Sequence, residues 1–193
     1  MTWMMPLTQW LERQSLRCIG LRALQMAHYQ ARVARELQPL ALPKAAKILC
    51  LGCGYLPLTA FCLAQQGFQV VAVDRDAKAC RMAAEWLDQQ QQCHKLGHPL
   101  VQVVCAEAGE VAAQGFQLVH LAAQIQPQQQ VIQSLWPSMD KEAWLLARLP
   151  KAWLQSAYQA LPAQLGQDGL WYQQKQRQSW LDCGQQPWQQ VQA

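Results

Sequence analysis

The segment Lys47-Ile48-Leu49-Cys50-Leu51-Gly52-Cys53-Gly54-Tyr55-Leu56-Pro57-Leu58-Thr59, with Asp74 twenty residues beyond Gly54, constrains the fold more than any other part of the chain. Ile48 to Leu51 is a short apolar run, the mark of a parallel strand buried on both faces. Gly52 and Gly54 turn the chain where a side chain would clash and leave backbone open to a ligand. Thr59 to Gln66 reads as a helix that Gly67 ends, in the position where a left-handed residue costs little. Phe68 to Val73 is a second strand, and Asp74 at its end can accept hydrogen bonds from both hydroxyls of a ribose. Strand, glycine turn, helix, strand and acid together make a nucleotide-binding crossover unit.

The turn also narrows the nucleotide. Dinucleotide sites use three glycines, because a pyrophosphate must rest on the helix N-terminus. Here Pro57 takes the third position. S-adenosylmethionine carries no phosphate and needs only the first two glycines, so it is the cofactor expected. Cys53, Leu56, Arg75 and Ala122 join Gly52, Gly54 and Asp74 as candidate cofactor contacts. Glu107, or the backbone around Ala106, follows the third strand and is placed to meet the adenine.

The rest of the chain supports one α/β unit. Leu7 to Leu42 is mostly helical by pattern and closed by Pro39 and Pro43, a cap over residues 1–43 ahead of a Rossmann-like domain over 44–193. A crossover helix runs from Asp76 or Ala77 to Gln89. Strands follow at Leu100–Cys105, Phe116–Leu121 and Trp144–Leu149, with helices at Gln128–Leu135 and Lys151–Ala160. Leu170–Gln173 and Gln178–Leu181 read as a terminal antiparallel pair. Alternating strands and helices predict a three-layer fold with a mainly parallel sheet, as in S-adenosylmethionine-dependent methyltransferases.

Composition removes several alternatives. The net charge is only +4, and basic residues are scattered, which argues against nucleic acid. No apolar run reaches the length of a membrane span, and Met1 to Gln14 lacks the apolar core of a secretion signal; a cytoplasmic location is expected. Eight cysteines sit mostly in apolar segments, the pattern of reduced, buried thiols. Cys50 and Cys53 have redox spacing but straddle the turn. Cys93, His94 and His98 adjoin the Gln89–Gln92 run, read as a solvated loop, so no metal site is expected. Trp3, Trp10, Trp136, Trp153, Trp171, Trp180 and Trp188 are candidates for a homodimer face or for the walls of an acceptor pocket.

Gly52-Cys53-Gly54-Tyr55-Leu56-Pro57-Leu58-Thr59 resembles the Gly-x-Gly-x-Leu-Pro-Leu-Thr stretch of nicotianamine synthase and the related bacterial opine-metallophore synthases. Phe116 to Ala123, Gln130-Val131-Ile132 and Leu135 are similar to that family's fourth strand, turn and helix. Leu145 to Arg148, with Tyr158 ten residues on, resembles its fifth strand, and Tyr29 and Glu36 match a Tyr and Glu on the preceding helix. The likeness covers about residues 29–160. It implies transfer of the 3-amino-3-carboxypropyl arm of S-adenosylmethionine to the amine of a small, amino-acid-like acceptor, with release of methylthioadenosine. It further implies Tyr29 and Glu36 as catalytic residues, with Arg148 and Tyr158 holding substrate. Where the family has a glycine and a second arginine after the fifth strand, this chain has Leu149-Pro150-Lys151. Methyl transfer, cyclisation of the cofactor's own arm, and cofactor binding without catalysis stand as alternatives.

Overall fold

A computed structural model of the chain describes residues 19–94, 101–148 and 170–174. The elements in order are α1 (Ile19–Leu37), β1 (Lys47–Leu51), α2 (Leu58–Gln65), β2 (Gln69–Asp74), α3 (Ala77–His94), β3 (Val101–Cys105), β4 (Leu118–Leu121), α4 (Gln128–Leu135), a 3-10 turn at Trp136–Ser138, β5 (Trp144–Arg148) and β6 (Leu170–Gln174). They build one six-stranded sheet of order β3-β2-β1-β4-β5-β6. Strands β1 to β5 are parallel, and β6 runs antiparallel along β5. The strand order reverses between β1 and β4, and ligands of such sheets gather at the carboxyl end of that crevice.

Side chains of the central strands alternate between two cores. Ile48, Cys50, Leu118 and Leu146 pack under α1, α2 and α3, where Phe61 meets Trp86 edge-on at 5.1 Å. Leu49, Leu51, Val119, Leu121, Leu145 and Ala147 pack on the opposite face against Ile132, Leu135 and Trp136. Trp136 therefore belongs to the core. Burying each such Leu or Ile contributes roughly 1.5–3 kcal/mol. Helix α2 is apolar almost all round, with Leu58, Ala60, Phe61, Cys62, Leu63 and Ala64 buried. One sheet face cannot cover such a helix. Helix α1 supplies the outer cover, with Met26 against Cys62 and Gln30 bonded to Gln65.

One reading needs correction. Residues 89–92 are not a loop: α3 continues through them to His94. Glutamine is a good helix former, and no glycine or proline interrupts the chain before Gly97. Leu170–Gln174 pairs antiparallel with β5, and residues 178–181, the other half of the expected terminal pair, lie outside the described ones. The expected start of α3 holds for a local reason. Asp76 caps it, its Oδ1 accepting the backbone N–H groups of Lys78 (2.8 Å) and Ala79 (3.3 Å). Gly67 has φ +92° just past the end of α2, as its position demands. Among the described residues no helix is long and apolar enough to cross a membrane.

Candidate cofactor cleft and buried charge cluster

The turn after β1 is held by backbone bonds from both sides of the crevice. Gly52 N–H and Cys53 N–H donate to Val73 O (2.8 and 3.1 Å), and Ala122 N–H donates to Leu51 O (3.0 Å). Gly52 has φ +79°, and a Cβ there would stand 3.0 Å from Ile125 Cγ1 and 3.1 Å from the Ala122 Cβ. Only glycine meets both conditions. Asp74 accepts from Gly54 N–H through Oδ2 (2.9 Å) and from Asp76 N–H through Oδ1 (3.0 Å). A carboxylate has about four acceptor sites, so both oxygens keep capacity for a ligand. Tyr55 locks the same corner by donating its hydroxyl to Asp76 Oδ2 (2.9 Å).

These residues line a cleft of about 170 Å³ at the carboxyl ends of the strands. Gly52, Gly54, Asp74, Arg75 and Glu107 line it after β1, β2 and β3, and Ile125 and Gln126 line it after β4. The Ala106 N–H is already given to Asp74 O (3.0 Å). The Gln126 Nε2 is buried without a hydrogen-bond partner, a donor left over at the wall of the cleft. A slot of mixed lining with carboxylates at the β2 and β3 ends and a spare donor after β4 fits a nucleoside.

A smaller recess of about 40 Å³ adjoins the cleft, with Gly52 and Gln124 common to both walls. Cys53, Leu56, Ala122, Tyr29, Thr59, His120 and Arg148 line it. The candidate cofactor residues thus divide, with Cys53, Leu56 and Ala122 on the recess side. Tyr158 lies outside the described residues.

Behind the recess is a buried charge cluster joining helix and sheet. Arg148 donates from Nε to Glu36 Oε1 and from Nη2 to Glu36 Oε2, both at 2.8 Å, and from Nη1 to Thr59 Oγ1 at 2.8 Å. Arg32 donates from Nε to Glu36 Oε1 at 2.9 Å. The Arg148 guanidinium lies over the Tyr29 ring, 5.6 Å from its centroid. The expectation that Arg148 holds substrate meets a residue whose fork is engaged by Glu36. Burial alone would raise the Glu36 carboxyl, but His120 and Arg148 beside it more than offset this and hold it well below the usual carboxylate range. It is therefore ionised throughout the neutral range. Gln128 ties the two strand ends together, donating from Nε2 to Ala122 O (3.2 Å) and Arg148 O (2.9 Å).

The Cys50 and Cys53 thiols are poor redox candidates. Burial pushes Cys50 up to about 12 and raises Cys53 as well, with the Asp74 charge adding to the latter. Among the described residues no group of three or more His, Cys, Asp or Glu could hold a metal.

Sequence reasoning passed over His120, Thr59, Asp76 and Gln126. His120 left the clearest signal, an imidazole inside an otherwise apolar central strand, where a polar side chain is kept only with a specific neighbour.

No family model matches the sequence, and no curated protein does. Solved structures do match. A point mutant of the nicotianamine synthase MtNAS, in complex with S-adenosylmethionine, aligns over 74% of this chain and 56% of its own with TM-score 0.60 and 17% identity. MtNAS in complex with MTA and tNA aligns over 74% and 54%, with TM-score 0.59 and 17% identity. An RNA methyltransferase from Salinibacter ruber, in complex with S-adenosyl-L-homocysteine, aligns over 77% and 93%, with TM-score 0.58 and 12% identity. The chain spans little more than half the length of MtNAS.

Proposed function

With the three-layer fold of nicotianamine synthase and the S-adenosylmethionine-dependent methyltransferases as premise, we infer that this protein binds S-adenosylmethionine and transfers its 3-amino-3-carboxypropyl group to a small amine. The observation that carries this reading is the joined pair of spaces. A nucleoside-sized cleft ends at Gly52, and beyond it lies a small recess walled by Tyr29, His120 and Arg148.

Bound S-adenosylmethionine supplies a sulfonium whose attached carbons are electrophilic. The cleft residues would fix its nucleoside end: Asp74 the ribose hydroxyls, Gln126 and Glu107 the base. Which carbon reacts is then decided by where the acceptor nitrogen is held, because displacement needs an in-line approach at close range. The recess is small and admits no large surface, which favours a small acceptor. An amine attacks only when neutral, so a side chain must carry its proton away, and Tyr29 is placed at the recess to relay it.

Incubation with S-adenosylmethionine and a panel of amino acids, read by mass spectrometry, tests the reading. Methylthioadenosine together with an aminocarboxypropylated acceptor is expected. S-adenosylhomocysteine would make the protein a methyltransferase instead, and methylthioadenosine without acceptor would indicate cyclisation.

Asp74→Ala is expected to weaken S-adenosylmethionine binding by roughly 1–3 kcal/mol, the scale of lost charge-assisted hydrogen bonds. Calorimetry on the variant measures this, and unchanged affinity would remove Asp74 from the ribose site.

A further inference from the structure

A phenol relays a proton only when a base beyond it takes the proton up. Glu36 is badly suited to that. Both its oxygens are held at 2.8 Å by Arg148, and one also by Arg32. Among the described residues that line the recess, the remaining candidate is His120 on β4. It is 3% exposed, and it lines the recess together with Tyr29. Its ring faces α1, in register with Cys50 on β1 and Leu146 on β5. Its Nε2 faces Glu36 Oε2 at 3.5 Å, the long limit of a hydrogen bond. We propose that His120 is the proton acceptor of the transfer, held in orientation by Glu36 across Nε2. The inference rests on the transfer reading of the site.

A carboxylate opposite Nε2 favours the tautomer with its proton there, which leaves the lone pair on Nδ1. The charged groups around the ring are Glu36 and Arg32 from α1 and Arg148 from β5; Tyr29 on α1 and the Cys50 thiol on β1 are neutral neighbours. Burial and the Arg148 charge disfavour the imidazolium more than Glu36 favours it, so the ring is lowered from its ordinary value and is neutral at pH 7. The neutral imidazole is the form that can take up a proton, and Glu36 behind it offsets part of the cost that burial and Arg148 place on the charged ring. As the bond from acceptor nitrogen to carbon forms, the carbon–sulfur bond breaks and its electron pair stays on sulfur. The proton shed by nitrogen passes through Tyr29 to His120, which returns it to water after release.

His120→Gln gives the kinetic test, with the wild type alongside. The wild-type kcat is expected to be level from pH 7 to 8. In the variant it should drop about a hundredfold at pH 7 and climb tenfold per pH unit, following the free amine, while S-adenosylmethionine affinity stays within about twofold. Variant kcat within threefold of wild type with a level profile would overturn the proposal. Wild-type protein that turns over no amine would instead overturn the transfer reading. NMR of wild-type protein carrying ¹⁵N-labelled histidine decides the matter even if the variant fails to fold. A neutral, Nε2-protonated ring at pH 7 is expected for His120. An imidazolium or the Nδ1–H tautomer would contradict the assignment.

Discussion

Glu36→Gln is expected to lower the unfolding free energy by about 3–5 kcal/mol, the cost of leaving one member of a buried ion pair without its partner. The substitution keeps the shape of the side chain and removes its charge, so the Arg148 guanidinium stays buried at 5% exposure against a neutral amide. For a chain of this length the corresponding fall in melting temperature is roughly 6–20 °C. The effect has a pH signature. The folded value of Glu36 lies below the ordinary 4.5, so its contribution is complete above about pH 4.5 and fades as the pH falls through the folded value. The gap between wild type and variant should therefore be flat from pH 6 to 8 and narrow in acid. Replacing both partners together, Glu36→Leu with Arg148→Met, should recover most of the loss, since apolar residues of similar size often substitute well for a buried pair. Urea unfolding of the single and double variants measures all of this. A loss below about 1 kcal/mol for Glu36→Gln would mean that the pair is solvated and that α1 is held to the sheet by apolar contact alone.

Tyr29→Phe should separate binding from chemistry. The ring remains to pack beneath Arg148, at 5.6 Å in the wild type, so the recess and the cluster behind it should keep their form. Only the hydroxyl is lost. If it relays the acceptor's proton, kcat falls by about a hundredfold or more, while S-adenosylmethionine affinity and melting temperature barely move. Steady-state kinetics with a saturating acceptor, alongside calorimetry, reads both quantities. Equal turnover in the variant would reduce Tyr29 to a packing residue.

What the sequence made legible was local. The Gly52–Gly54 turn, the strand before it and Asp74 at the end of β2 lie within one crossover unit, and the fold brings them together with little help from the rest of the chain. Buried parallel strands were likewise visible, because burial on both faces leaves an apolar run. The charge cluster was only half visible. Glu36 and Arg148 were singled out, but their pairing spans 112 positions and depends on α1 bringing Glu36 beside His120 on β4 and Arg148 on β5. No local pattern encodes that. His120 showed as a polar residue in an apolar strand, but its role did not, because the charged neighbours it has among the described residues come from elements distant in sequence. The Gln89–Gln92 run misled because its polarity resembles a loop, although glutamine carries no helix-breaking property.

The nucleoside cleft underlies every functional statement, and binding tests it without assuming any reaction. Isothermal titration of wild-type protein with S-adenosylmethionine, and separately with NAD, should give one saturable site for the sulfonium nucleoside and none for the dinucleotide. Absence of heat with S-adenosylmethionine, or saturable binding of NAD that excludes it, would contradict the assignment of the Gly52–Gly54 corner.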